Sequence, residues 1–172
     1  MNAVALLRQQ LESVHWLQET VMADVTAEAS NFNHMGKAIP VGAAYAHSVI
    51  AEDMIVSDML AKRPSIITPT TKTGLSIPMP KQSEWDKHEA WYKTVVVDIP
   101  VLREFAKQVY KATDNYLATL KDEDLDVEMD LPGVGKHNLG WLISNFVILH
   151  IANLTGEMSA GKGVQGLKGY PF

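Results

Sequence analysis

The sequence predicts an all-α fold, a four-helix bundle with a long crossover loop between helices 2 and 3 and a small extended segment before the last helix. Three observations predict it. Four stretches repeat apolar residues at helical spacing, a proline-rich stretch parts the second from the third, and a short run before the fourth alternates apolar and charged residues.

The first helix is expected over residues 3–26, where Val4, Leu7, Leu11, Val14, Val21 and Val25 form a stripe with one polar break at Gln18. Ala29 to Pro40 holds Asn31, Asn33, Gly36 and Pro40 and reads as a loop. A second helix runs from about Val41 to Ala61 and ends at Lys62-Arg63-Pro64. Residues 62–83 contain Pro64, Pro69, Gly74, Pro78 and Pro80, which no helix survives. Ile66, Ile67, Leu75, Ile77 and Met79 imply that this crossover lies across the bundle, and its length hints at a lid or an overhand connection.

Helix three begins near Ser83, with Asp86 three residues on, and runs through Trp85, Trp91 and Tyr92 towards Leu120; Pro100 should kink or split it near Asp98. Leu125 to Leu131 alternate strictly, a strand signal closed by the Pro132-Gly133 turn. The fourth helix runs from about Asn138 to Ala160. The tail GKGVQGLKGYPF is too glycine-rich to continue it.

A chain of 172 residues with 47% hydrophobic and 20% charged residues reads as one globular domain, 1–172. The net charge of −5, with fifteen basic residues scattered among twenty acids, argues against a nucleic-acid partner. Without cysteine there is no disulfide, no thiolate nucleophile and no sulfur-ligated zinc, which leaves His, Asp and Glu as ligands. The start, MNAVALLRQQLESV, lacks a signal-peptide pattern, and no run reaches 18 apolar residues; a cytoplasmic protein with no membrane partner is expected.

Several motif matches fail. Gly156 to Gly163 reads G-x-x-x-x-G-K-G, but Gly163 stands where a phosphate loop needs Ser or Thr, and the stretch trails a helix. Asp122, Asp124 and Asp126 have calcium-loop spacing, yet Val127 and Gly133 replace the turn glycine and the closing glutamate. His88-Glu89 opens like a zinc-protease motif without its second histidine and is expected to be a surface pair. Ser48 beside His47 lacks a nucleophile elbow, and adjacent helical residues diverge by about 100°. Asn153-Leu154-Thr155 is a glycosylation sequon only by coincidence.

Two histidines remain. His47 shares a helical face with Ala43, Ala44, Ile50, Ala51 and Met54, while Glu52, Asp53 and Asp58 take other angles. His150 shares one with Ile143, Phe146, Val147 and Leu154, and Asn153 and Glu157 lie close. A bundle turns both faces inward. One histidine on an apolar face is most often a core residue bonded to a carbonyl; two on different helices favour a ligand site between them.

The blocks IPVGAAYAHSVIAEDMIV, EWDKHEAWY and LGWLISNFVILHIANLTGEMSA with the terminal GLKGYPF, in that order and spacing, resemble the DinB/YfiT-like superfamily of four-helix bundles over nearly the whole chain. The resemblance implies a divalent metal, zinc or nickel, on a histidine of the second helix and a His-x-x-x-His pair on the last. His47 and His150 match the first two ligands, but the third position is Leu154, which cannot ligate. Three outcomes follow, in this order: a dead site leaving a pocket or plain core, lined by Ala43, Ala51, Asn153 and Leu154; a site completed by Glu157; or a weak two-histidine site. The resemblance implies for active relatives a transferase or isomerase acting on a low-molecular-weight thiol, the metal lowering the thiol's pKa. The leading expectation is therefore a non-catalytic or small-ligand-binding bundle, with the metal-dependent thiol transferase as the alternative. A homodimer is plausible for such a bundle. A third reading makes Trp85, Trp91 and Tyr92 an exposed aromatic patch for a partner protein.

Overall fold

The computed structural model describes residues 2–170 and 172, the side chain of Gln82 aside. Six helices and one small hairpin follow in order. Helix α1 is Ala3–Met22, α2 is Ala27–Ser30, and α3 is Val41–Asp53, continued by a π-helical turn Met54–Leu60. After the crossover come a 3₁₀ turn Gln82–Lys87, α4 (His88–Thr94) and α5 (Ile99–Leu117). A second 3₁₀ turn, Asp122–Asp126, leads to β1 (Glu128–Leu131), β2 (Gly135–Asn138) and the long α6, Leu139–Val164. Helices α1, α3, α5 and α6 pack on one another as the bundle.

Every residue of α3 from Val41 to Asp53 is buried, so it is the central stave. It has no solvent face to reveal its orientation in the sequence. Gly42 is needed where α2 crosses it, since a Cβ there would meet the Ser30 side chain. Helix α1 is capped at its start from within and from afar. The Asn2 side chain accepts from Ala5 N at 2.9 Å, and Asp122 accepts from Ala3 N and Val4 N at 3.0 Å each. These backbone hydrogen bonds hold the Asp122 carboxyl below its usual range, and they give the calcium-like acidic run a structural task.

The crossover is tied down along its length. Buried Asp53 accepts from Ser65 Oγ, from Ile66 N at 3.2 Å and from Ile67 N at 3.1 Å, and also from Ser57 Oγ at 3.0 Å. Further on, Asp98 N donates to Gly74 O at 2.8 Å and Trp91 Nε1 to Ile77 O at 3.0 Å. Gly74 has φ +77°, and a Cβ there would stand 2.6 Å from Asp98 O, so only glycine fits.

Several expectations are revised. The first helix stops at Met22, and a short α2 interrupts the expected loop. Helix three is two helices with an extended link; Pro100 lies in the first turn of α5, after the Asp98 cap, where its missing N–H is no loss. The alternating run begins as a 3₁₀ turn, and only Glu128–Leu131 is strand, paired antiparallel with Gly135–Asn138. The glycine-rich tail stays helical to Val164 because Lys162 is buried, donating to Val21 O at 2.6 Å and Asp24 Oδ1 at 2.5 Å. No run of 18 apolar residues exists, yet Leu139–Val164 is long and apolar enough on average to cross a membrane; 44% of its most apolar stretch is buried inside the bundle.

Candidate functional site

Three imidazoles meet on one small cavity. His47 comes from the middle of α3, His150 from α6, and His88 from the first position of α4. The ring centroids of His47 and His150 are 5.2 Å apart, and those of His47 and His88 are 6.1 Å apart. The space they enclose is about 170 Å³ and otherwise almost wholly apolar. Both π-helical turns supply its walls, Met54 and Ile55 from one and Phe146 from the other. A π-turn widens the helix by one residue and re-aims the side chains that follow, which is why such turns gather at functional sites. The crossover contributes Met79, and the 3₁₀ turn contributes Trp85, tilted over His88 at 4.7 Å.

The ring nitrogens divide clearly. His47 Nδ1 and the Tyr92 hydroxyl are 2.6 Å apart, so Nε2 is the nitrogen left for a ligand. His88 Nε2 lies 3.4 Å from Lys81 O, while its Nδ1 is enclosed and has no partner. The His150 ring makes no hydrogen bond to the described residues. An enclosed donor or acceptor without a partner costs roughly 1–3 kcal/mol, which a bound group could recover.

Burial pushes the His47 imidazole down to about 3, with the two neighbouring imidazoles adding to the effect. Burial lowers His150 as well. Tyr92 is pushed up to about 12, first by burial and then by the charge of Glu157. His47 and His150 therefore present neutral imidazoles to the cavity at neutral pH, and Tyr92 backs His47 as a protonated phenol.

Of the residues singled out in the sequence, His47, His150 and Ala51 line this cavity. Leu154 is packed in the apolar core with Val21, Met22 and Met158, and Ala43 belongs to the same core. Asn153 is exposed, and Glu157 is exposed and lines a separate groove with Phe32, His34 and Lys37. His88, expected at the surface, is buried. The signal for it was present: His88, Trp91, Tyr92 and Val95 fall at i, i+3, i+4 and i+7, an apolar stripe. Nor do the aromatics form one patch. Trp91 is buried, Tyr92 turns onto His47, and Trp85 alone is exposed, at 66%.

Two imidazoles sharing a tetrahedral zinc would have ring centroids roughly 5 Å apart, given Zn–N near 2.0–2.1 Å. His47 and His150 meet that spacing, and His88 stands farther off. Among the described residues no three His, Asp or Glu side chains are grouped to hold a metal. As arranged, the site does not fit a three-ligand ion.

The sequence profile described as the DinB superfamily matches residues 10–153, most of the bundle and all three cavity histidines, His47, His88 and His150. No curated protein and no solved structure matches the chain.

Proposed function

The chain belongs to the DinB superfamily, and on that premise we propose that it is a non-catalytic, small-ligand-binding bundle whose metal site is reduced to an imidazole-lined cavity. One observation carries this reading. Position 154, where the family resemblance puts the third ligand, is a leucine buried in the core, and Glu157, one turn on, lines another groove. The cavity of about 170 Å³ lies below the roughly 300–1,000 Å³ of drug-sized sites, so its ligand is small. Apolar walls and neutral ring nitrogens suit a compact molecule with one hydrogen-bonding group. Cytoplasmic residence is part of the same proposal.

Pyrazole is a suitable probe. It should raise the melting temperature of the wild-type protein saturably, and Ala51→Leu, which fills the cavity, should abolish the rise. An equal rise in both proteins counts against the cavity as the binding site.

A second reading, a divalent-metal-dependent transferase acting on a low-molecular-weight thiol, is favoured by the partnerless Nδ1 of His88 beside His47. It would make His88 the replacement for the ligand lost at position 154. Stoichiometric zinc or nickel that vanishes in both His47→Ala and His88→Ala would establish it.

A further inference from the structure

Away from this cavity, a further histidine, His15, is held in a way the cavity does not use. His15 of α1 and Glu52 of α3 are both buried, and His15 Nε2 lies 2.9 Å from Glu52 Oε2. The His15 ring stacks on Tyr110 of α5, with centroids 3.8 Å apart and planes 20° apart. The ring is thus fixed edge-on by one residue and face-on by another. A carboxylate can only accept, so Nε2 donates to Glu52, and in the neutral tautomer of the ring Nδ1 is left as an acceptor. Nδ1 has no hydrogen-bond partner among the described residues, and it is not one of the fully enclosed polar atoms. It therefore faces the groove that His15 lines, a space of about 720 Å³ between α1 and α5.

A purely structural cross-link explains this pair poorly. Glu52 is 1% exposed, makes one hydrogen bond, and leaves Oε1 enclosed without a partner. A buried polar pair that leaves an atom unsatisfied is commonly no more stable than the apolar residues that could replace it. What the arrangement does provide is an oriented acceptor nitrogen at the wall of an open groove.

The groove's charges indicate what it would take. Arg8 is paired bidentately with Asp114, at 2.7 and 2.9 Å, and Glu19 is held by Arg103 at 2.8 Å and by two tyrosine hydroxyls. The remaining rim charges, Glu12 and Lys111, are opposite in sign. With Arg103 offsetting Glu19 the rim charges cancel, and a further carboxylate, Glu52, sits buried behind His15, while Trp16 adds an exposed aromatic face. We propose that this groove is a second small-molecule site, in which the Glu52–His15 pair accepts a hydrogen bond from a neutral hydroxyl or azole N–H ligand of the phenol or azole class.

The test is a titration of the full-length ¹⁵N-labelled protein with phenol and, in parallel, anisole, which has the same ring without the O–H. His15 Nδ1 should resonate as an unprotonated nitrogen in the free protein and shift saturably with phenol. Anisole should bind about fivefold more weakly, the loss of one neutral hydrogen bond. His15→Phe should weaken phenol binding by a similar factor. A protonated Nδ1 in the free protein, equal affinity for the two probes, or shifts at His47 and His150 with none at His15 would each overturn the proposal. These readings need only the wild-type protein, so they hold even where the variant fails to fold, and they do not depend on the first cavity.

Discussion

Acidification should destabilise this bundle well above the range in which carboxylates titrate, and His47 is the reason. Its imidazole has a value of about 3 in the folded protein against an ordinary 6.5. A group depressed by folding contributes stability that is present above its unfolded value and lost as pH falls toward the folded one. Between pH 7 and pH 5 the unfolded chain takes up a proton at His47 and the native protein does not. At 1.36 kcal/mol per pH unit, this difference is worth about 2 kcal/mol. His150 is shifted the same way and adds a loss of the same sign. Asp24, Asp114 and Asp122 are all held below their ordinary 3.8, so their losses come at lower pH. Urea unfolding with a chelator present, at pH 7 and pH 5, measures the effect in wild type and in His47→Gln. Wild type should lose about 2 kcal/mol more than the variant between pH 7 and pH 5. An equal loss in both proteins would mean that His47 is not held neutral by the cavity, and the reasoning would fail.

Two further outcomes follow from packing and ligand geometry. Asp53→Ala removes the acceptor shared by the Ile66 and Ile67 N–H groups and the Ser57 and Ser65 hydroxyls, and should cost roughly 2–4 kcal/mol; urea unfolding and faster proteolysis within residues 62–80 check it, and unchanged proteolysis would show that Asp53 does not hold the crossover. Leu154→His places an imidazole one turn beyond His150 and should tighten zinc binding at least tenfold by calorimetry, at some expense in stability; no gain would place position 154 out of reach of His47 and His150.

The bundle was legible because α1, α5 and much of α6 bury one face and expose another, which writes a 3.6-residue period into the sequence. Central α3 is buried on every face, so periodicity there placed His47 inward yet could not show that Glu52 and Asp53 are buried too. Their partners, His15 and the crossover backbone, are 37 and 13–14 residues away. The α6 extension depends on Lys162 reaching the end of α1, a contact between residues 138 and 141 positions apart. Strand β2 is Gly-Lys-His-Asn, with no apolar alternation, and it forms only because the Pro132-Gly133 turn brings it beside β1. The π-turns are a matter of hydrogen-bond register and leave no mark on composition. His88 is legible in the sequence through its apolar stripe with Trp91, Tyr92 and Val95, whereas its polar neighbours Lys87 and Glu89 belong to the opposite, exposed face.

The central claim, that the family's metal site survives here only as a cavity, is tested most directly by elemental analysis of the untagged protein purified without added metal. Zinc and nickel should lie far below one equivalent per chain, unchanged by His47→Ala. One equivalent per chain, lost in that variant, would contradict it.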